Sequence, residues 1–376
     1  MLSILVFLPA LAALFIVVTR ERGFLPRRIA LATVSVELLL AAILYLTYPA
    51  MRGGFTWHER YAWLPHWGVY YALAADGLSL TFVALTCLLC AIAVSVLRWD
   101  REPPILAGLL LLQSLLLGTF LARDALLFFV FWQLTLGPLA YLAAQQRPQG
   151  RDVAASLLAY GGAGGLALLL CLVWLALHRA HITGRLAFDI SWLTAAALPW
   201  SPQGWLFLGL AFAFLSRAGI WPFHRWMVSS HLCLPAPAML LLNGVALKAG
   251  AYALMRFCVP MVPDAIVVAF PLLAALCYMG LFYGALAALA QQDLRSRLAL
   301  FTVAHLSIAL FALFGLHLLG LQGSLLQMVT HGLAVSGWLV VCLGLTNGEP
   351  DLGLQRLRGV LGPVPLAGAL LALTLS

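Results

Sequence analysis

The chain has 376 residues, 64% of them hydrophobic and 9% charged, with a mean hydropathy of +1.01 and a formal net charge of +8. This composition excludes a soluble globular domain and a disordered chain, and makes the bilayer the solvent for most of the sequence. The excess of arginine calls for no nucleic-acid partner, because it follows the sidedness of a membrane protein.

A hydrocarbon core of roughly 30 Å needs about 20 apolar residues per helix. On that measure eleven spans are expected, near 2–18, 29–48, 77–97, 105–121, 124–144, 153–177, 203–221, 235–257, 265–290, 298–317 and 321–346, and 360–376 opens a partial twelfth. The fold class is therefore an all-α polytopic membrane protein. The first apolar segment follows Met1 without a basic region or a small-residue cleavage pattern, so it reads as a retained helix. Glu37 falls inside the second span. It reads equally as a relay carboxylate or as a structural partner of a neighbouring helix.

The polar interruption at 49–76 is rich in aromatics, among them Phe55, Trp57, Tyr61, Trp63, Trp67, Tyr70 and Tyr71, as is 178–202 with Phe188, Trp192 and Trp200. Both are expected to lie on the membrane surface as short lids, or simply to anchor the chain in the headgroups. Asp76-Gly-Leu-Ser79 is suited to cap the third span. Cys87-Leu-Leu-Cys90 has a C-x-x-C spacing, but on a continuous apolar helix without a companion pair it reads as packing. Gln133 lies in the fifth span.

Between Arg217 and Pro237 the apolar pattern is interrupted by Gly219 and Pro222, with His224 and His231 on either side and Pro235 and Pro237 opening the next span. A broken span at membrane depth survives only where it is buried or lines a watery cavity, and transporters build ion sites that way. The span that follows carries Lys248, the only lysine in a chain with twenty arginines. Arginine keeps its proton at any accessible pH, whereas a lysine amine in a low-dielectric site can release one near neutrality. Ionisable groups near mid-bilayer cost roughly 2.5–3.5 kcal/mol and mark ion pathways. A stem that snorkels to the interface is the alternative. Arg217 ends the preceding helix and is expected to face Lys248 across a shared hydrated region. His305 and His331 follow in the tenth and eleventh spans, as relay groups or as hydrogen-bond anchors.

With loops numbered alternately, one side collects thirteen arginines and the other six, which places the N-terminus outside the cytoplasm of a cytoplasmic (inner) membrane. No Gly-rich nucleotide loop, iron-sulfur spacing or metal-ligand set is present in the sequence, so the chain alone is expected to bind no cofactor and no metal and to have no catalytic residues of its own.

Six motifs occur in order: Ala75-Asp-Gly-Leu-Ser-Leu80, Phe128-Phe-Val-Phe-Trp-Gln-Leu134, Arg217 to Trp226 around Pro-Phe-His, Ala246-Leu-Lys-Ala-Gly-Ala-Tyr-Ala-Leu-Met-Arg-Phe257, Asp293-Leu-Arg-Ser-Arg-Leu298 leading to His305, and Gln322 to Leu333. In these the chain resembles the antiporter-like membrane subunits of respiratory complex I, most closely the subunit M branch of bacterial NADH-quinone oxidoreductase. Relatives of that family serve sodium/proton antiporters and membrane-bound hydrogenases. The resemblance implies a truncated form of a fourteen-helix fold with two inverted five-helix repeats and a broken seventh helix. It divides the chain into residues 1–104 (helices 1–3), 105–258 (first repeat, helices 4–8) and 259–376 (an incomplete second repeat, helices 9–12). By position it makes Lys248 the switching lysine and His305 and His331 the link between half-channels. It also implies flavin, iron-sulfur clusters and quinone in partner subunits of the same membrane arm.

Three departures accompany it. Gln133 stands where the family usually has glutamate, and Arg217 where it usually has lysine. Ser376 falls within the twelfth span, so the exit half-channel is not completed by these residues. The function implied is movement of protons through a lysine-centred hydrated path, coupled to quinone reduction in another subunit. The alternatives are a non-conducting structural homologue, or a subunit of a cation/proton antiporter, a membrane hydrogenase or an inorganic-carbon uptake complex.

Overall fold

The structure, a computed structural model, describes residues 1–19, 24–49, 51, 53–97, 102–145, 149–195 and 198–345. The partial span at 360–376 lies outside them, as do Arg20, Arg22, Arg52, Arg98, Arg101, Arg147, Arg356 and Arg358 of the sidedness argument. The chain begins with α1 (Leu2–Thr19) and α2 (Phe24–Thr47), followed by strands β1 (Thr56–Leu64) and β2 (Val69–Ala75). Then come α3 (Gly77–Ser95), α4 (Glu102–Leu121), α5 (Ala125–Leu134), α6 (Leu136–Ala144), α7 (Gly150–Thr183), the short α8 (Ile190–Leu193) and α9 (Trp200–Ala218). After a break follow α10 (Arg225–Cys233), α11 (Ala236–Leu241), a π-helical turn at Leu242–Ala246, α12 (Lys248–Ala253), a second π turn at Leu254–Cys258 and α13 (Val259–Met261). The described chain closes with α14 (Pro263–Ala290), α15 (Leu294–Phe314) and α16 (Leu318–Leu345).

Every one of the eleven full spans has a helical counterpart. Ten are long and apolar enough to cross a membrane among the described residues, and the eleventh, α9, is of membrane length but begins with a polar turn and ends on Arg217. The protein is an integral membrane protein whose outer helices face lipid. In α14 only 28% of the spanning window is buried, whereas in the α11–α13 segment 94% is, so the lysine-bearing segment is the centre of the bundle.

Local chemistry sets the helix boundaries. Asp76 caps α3 through a reciprocal box, Oδ1 accepting from Ser79 N at 2.9 Å and Ser79 Oγ accepting from Asp76 N at 2.8 Å. Asp124 caps α5, accepting from Leu126 N at 2.9 Å and Leu127 N at 3.2 Å, and Asp293 caps α15 at Ser296 N. The fifth span is bent into α5 and α6 because Pro138 has no N–H to give the carbonyl of Leu134 four residues before it.

The described chain is helical as expected over most of its length, and residues 56–75 are the exception. The segment read as an interfacial lid is an antiparallel hairpin, with Tyr61 opposite Tyr71 and Ala62 opposite Tyr70. Aromatics are as well suited to a pleated strand as to a headgroup layer, and pairing the two strands satisfies the backbone groups that face each other across the hairpin. The hairpin turns through Pro65–Trp67 into Gly68, whose φ of +66° and proximity to the Leu186 carbonyl, 2.1 Å from where a Cβ would sit, both demand glycine. The second aromatic interruption, through Phe188 and α8, pairs with the α4–α5 junction: Ala125 N donates to Phe188 O at 2.7 Å and Ile190 N to Arg123 O at 2.8 Å. One polar cap thus covers one end of the bundle.

That cap is fastened to the lysine-bearing segment. Arg256, in the second π turn, donates two 2.8 Å hydrogen bonds to Asp76 and also donates to the Tyr252 hydroxyl, which donates in turn to the Phe120 carbonyl at 2.9 Å. Phe55 lies beneath both Arg123, at 3.5 Å, and Arg256, at 5.1 Å. Burial pushes the Asp76 carboxyl up, but the hydrogen bonds and charge of Arg256 and the Ser79 amide outweigh it and hold Asp76 below the usual carboxylate range. Asp76→Asn, which leaves Arg256 unpaired, is expected to cost about 3 kcal/mol, seen as a lower thermal midpoint in detergent. A depressed carboxylate contributes stability above its unfolded pKa near 4 and loses it as pH falls through the lower folded value. The gap between wild type and Asp76→Asn should therefore be full at neutral pH and close under strong acid.

Candidate functional site

At the centre of the bundle, the first π turn replaces an α-helical turn, with Leu247 N donating to Leu242 O at 3.1 Å, five residues back. The wider turn turns the Asn243 carbonyl away from the usual ladder, and the Lys248 ammonium donates to it. Lys248 Nζ also lies 3.0 Å from His331 Nδ1 of α16. Lys248 is 0% exposed, and among the described residues no carboxylate touches its amine. The amine is thus solvated by one carbonyl and one imidazole, and the 3.0 Å contact is short enough to pass a proton between two basic nitrogens.

The contact continues in both directions. The His331 ring lies 5.0 Å from that of His305 in α15, and Gln327 Nε2 donates to His305 Nδ1 at 2.9 Å. His305 and Gln327 are only partly buried, so this branch runs from the enclosed lysine toward the α15–α16 flank. His331 Nε2 has no partner among the described residues. On the other side, the Asn243 side chain meets His231 of α10: His231 Nε2 is 2.8 Å from Asn243 Oδ1, while His231 Nδ1 donates to the Met227 carbonyl at 2.7 Å. With Nδ1 committed, Nε2 is where this ring gains or loses a proton, and the Asn243 amide can serve either state by presenting its oxygen or its N–H. Arg295 steadies this branch, donating to the carbonyls of His231 at 3.1 Å and Leu234 at 2.8 Å.

The break before α10 has the expected form. Gly219, at φ +68°, ends α9, and Pro222 lies in the turn that leads to α10. The two flanking histidines part: His231 enters the core, whereas His224 stands at 3.2 Å from the Tyr283 hydroxyl at a partly exposed site.

The remaining residues singled out in the sequence do not join this chain of contacts. Arg217 was expected to face Lys248, but each has its own partners. Arg217 Nη2 donates to the Trp132 carbonyl at 3.1 Å and to the Thr135 hydroxyl, and its Nη1 has no partner among the described residues. The carbonyls freed at the α5–α6 bend attract the guanidinium, even though α9 and α12 pack so closely that a Cβ on Gly250 would lie 2.5 Å from the Phe214 carbonyl. Gln133 turns to α7, donating to Gly161 O at 3.3 Å, and a Cβ on Gly165 would strike its Oε1 at 2.3 Å. Glu37 receives a hydrogen bond from Gln113, between α2 and α4. No three His, Cys, Asp or Glu side chains among the described residues converge on a metal position, and the seven cysteines are buried and form no disulfide among the described residues.

Asn243, Arg295, Gln327 and Thr302, whose hydroxyl donates to Asn243 Oδ1 at 3.3 Å, were not singled out as site residues in the sequence. Positions 243 and 248 lie about 140° apart on an ideal α-helix, so only the π turn brings them together. Asn243 was nonetheless the one amide in an otherwise apolar stretch.

Comparison with known proteins agrees with this architecture. Residues 122–375 match the family model described as NADH:quinone oxidoreductase/Mrp antiporter, TM. The chain is 32% identical over 375 residues to NAD(P)H-quinone oxidoreductase chain 4 2 of Thermosynechococcus vestitus, covering 98% of this chain and 69% of that protein. It is 34% identical over 375 residues to the corresponding chain 4 1 of a Synechococcus strain, covering 98% and 70%. Among solved structures, a chain of respiratory complex I from Thermus thermophilus with bound NADH superposes with a TM-score of 0.89 at 28% identity, covering 100% of this chain and 77% of that one. The Mrp complex from Dietzia shares the fold at a TM-score of 0.79 and 21% identity, covering 92% and 37%. The chain therefore belongs to the antiporter-like membrane-subunit family of the NADH:quinone oxidoreductases and Mrp antiporters.

Proposed function

We propose that this chain is a proton-translocating membrane-arm subunit of an NADH-quinone oxidoreductase, with Lys248 as the group that takes up and releases the proton. The observation that carries this reading is the enclosed amine, which meets an imidazole at 3.0 Å and no counter-charge among the described residues. A lysine paired with a carboxylate would be fixed as a cation, whereas one solvated by a carbonyl and a histidine can exist in both states. His331 and His305 carry the proton toward the α15–α16 flank, and His231 with Asn243 supplies it from the broken helix.

Bringing or removing one unit charge about 4 Å from the amine is worth roughly 4 kcal/mol at an effective dielectric of about 20, enough to switch it. Gln133 cannot supply that charge, and Arg217 is a fixed cation that sets the local field without giving up its proton. The moving charge comes from a neighbouring subunit, in response to quinone reduction there. Flavin, iron-sulfur clusters and quinone belong to those partner subunits, and this chain performs no redox step. The N-terminus and the hairpin cap face away from the cytoplasm of the inner membrane, as the arginine distribution requires. Residues 1–104 form an accessory group of helices, 105–258 the first repeat and 259–376 part of the second.

The same neutral Gln133 and fixed Arg217 favour one other reading, a non-conducting scaffold in the same arm. Variants in the assembled complex, reconstituted in vesicles, separate the two. Lys248→Ala and Lys248→Arg should both assemble and lower coupled proton uptake by roughly tenfold or more, because neither side chain cycles a proton. Uptake equal to wild type would establish the scaffold. Asn243→Leu should slow uptake less than Lys248→Ala does and add nothing to it in the double variant, since both act on one path. It should also lower stability by about 1–3 kcal/mol by stranding His231 Nε2.

A further inference from the structure

One more ionisable side chain is enclosed away from the lysine chain. Glu37, in the middle of α2, is 0% exposed, and Gln113 of α4, also 0% exposed, donates its Nε2 hydrogen to Glu37 Oε2. Two oxygens of this pair, Glu37 Oε1 and Gln113 Oε1, have no partner among the described residues. The Cys87 thiol of α3 adjoins both side chains, and Cys90 lies near the Glu37 carboxyl.

Among the described residues, the helices packed most on α2 offer no counter-ion. α1 carries no titratable side chain between Leu2 and Thr19, α3 contributes only Cys87 and Cys90, and the one charged residue of α4, Glu102, stands at its first position. Arg27 and Arg28 of α2 belong to its first turns, where Arg27 donates to the Ser95 carbonyl. A carboxylate with a single amide hydrogen bond in that setting would be an unpaired buried charge, which proteins avoid by neutralising the group.

We propose that Glu37 is held as the neutral carboxylic acid, a second proton-holding site of this chain, separate from the Lys248 path. A proton on Oε1 turns an orphan acceptor into a donor, and the matching acceptor is the orphan Oε1 of Gln113. The result is a reciprocal acid–amide pair that ties α2 to α4. Apart from the Cys87 and Cys90 thiols no titratable side chain among the described residues of the packed helices stands beside it to take the proton onward, so the site stores its proton and does not relay it.

Infrared difference spectra of the assembled complex, wild type minus Glu37→Gln, test this. They should show the carbonyl stretch of a protonated carboxylic acid that persists from mildly acidic to mildly alkaline pH. In Gln113→Leu that band should move to higher frequency as its hydrogen bond is lost. Because glutamine can also donate and accept toward Gln113, Glu37→Gln should assemble normally and keep coupled proton uptake within about twofold of wild type. Glu37→Ala leaves Gln113 unmet and should lower recovered complex by about fivefold or more. A carboxylate band at neutral pH, failure of Glu37→Gln to assemble, or an assembled Glu37→Gln complex that has lost proton uptake would each overturn the proposal. These results do not depend on Lys248, whose own variants decide the translocation reading.

Discussion

A buried amine with no anion beside it among the described residues sets the terms for the centre of this protein. In hydrocarbon no water completes the hydrogen bonds of a polar group, so Lys248 must be solvated by the fold itself. The π turn supplies the first ligand by turning the Asn243 carbonyl toward the side chain. α16 supplies the second, and it reaches the site because positions 244 and 332 are both glycine: a Cβ at 332 would lie 2.9 Å from the Gly244 carbonyl. Gly250 does the same for α9 on the far side. The irregular backbone, the small residues and the histidines are thus one device for keeping an ionisable group in a place where charge is expensive.

The other buried cations are solvated differently, and the difference separates permanent charge from exchangeable charge. Arg217 and Arg295 are anchored on backbone carbonyls at helix ends, at the α5–α6 bend and after α10. Carbonyls at a helix C-terminus favour a cation and cannot accept its proton. Only Lys248 among the three touches another base. Gln133 belongs to the same pattern, since its amide turns to the glycine face of α7 and leaves Arg217 to the Trp132 carbonyl of α5.

Much of this was legible in the sequence. Hydropathy alone located the spans, because the bilayer imposes length and composition directly. The break at Gly219 and the isolation of Lys248 were equally plain, the first from backbone chemistry and the second from the rarity of the residue. What stayed hidden depended on contacts between distant or irregular segments. Asn243 needed the π turn, Gln327 needed the packing of α15 on α16, and the hairpin at 56–75 needed a partner for strands whose aromatics suit an interface as well as a sheet. The partners of Arg217 were equally hidden, because the acceptors it uses are set by the bend between α5 and α6, 82 and 85 positions earlier in the chain.

The clasp between Asp76 and Arg256 also orders events during biosynthesis. The two residues are 180 positions apart, so the third helix enters the membrane well before its counter-ion exists. At about 5–20 residues per second, the ribosome leaves that carboxylate waiting for on the order of ten to forty seconds. Throughout that interval the cap has no arginine from the central segment to hold it. The clasp can close only once the lysine-bearing segment has been made, so the cap is fastened to the centre of the bundle late in synthesis.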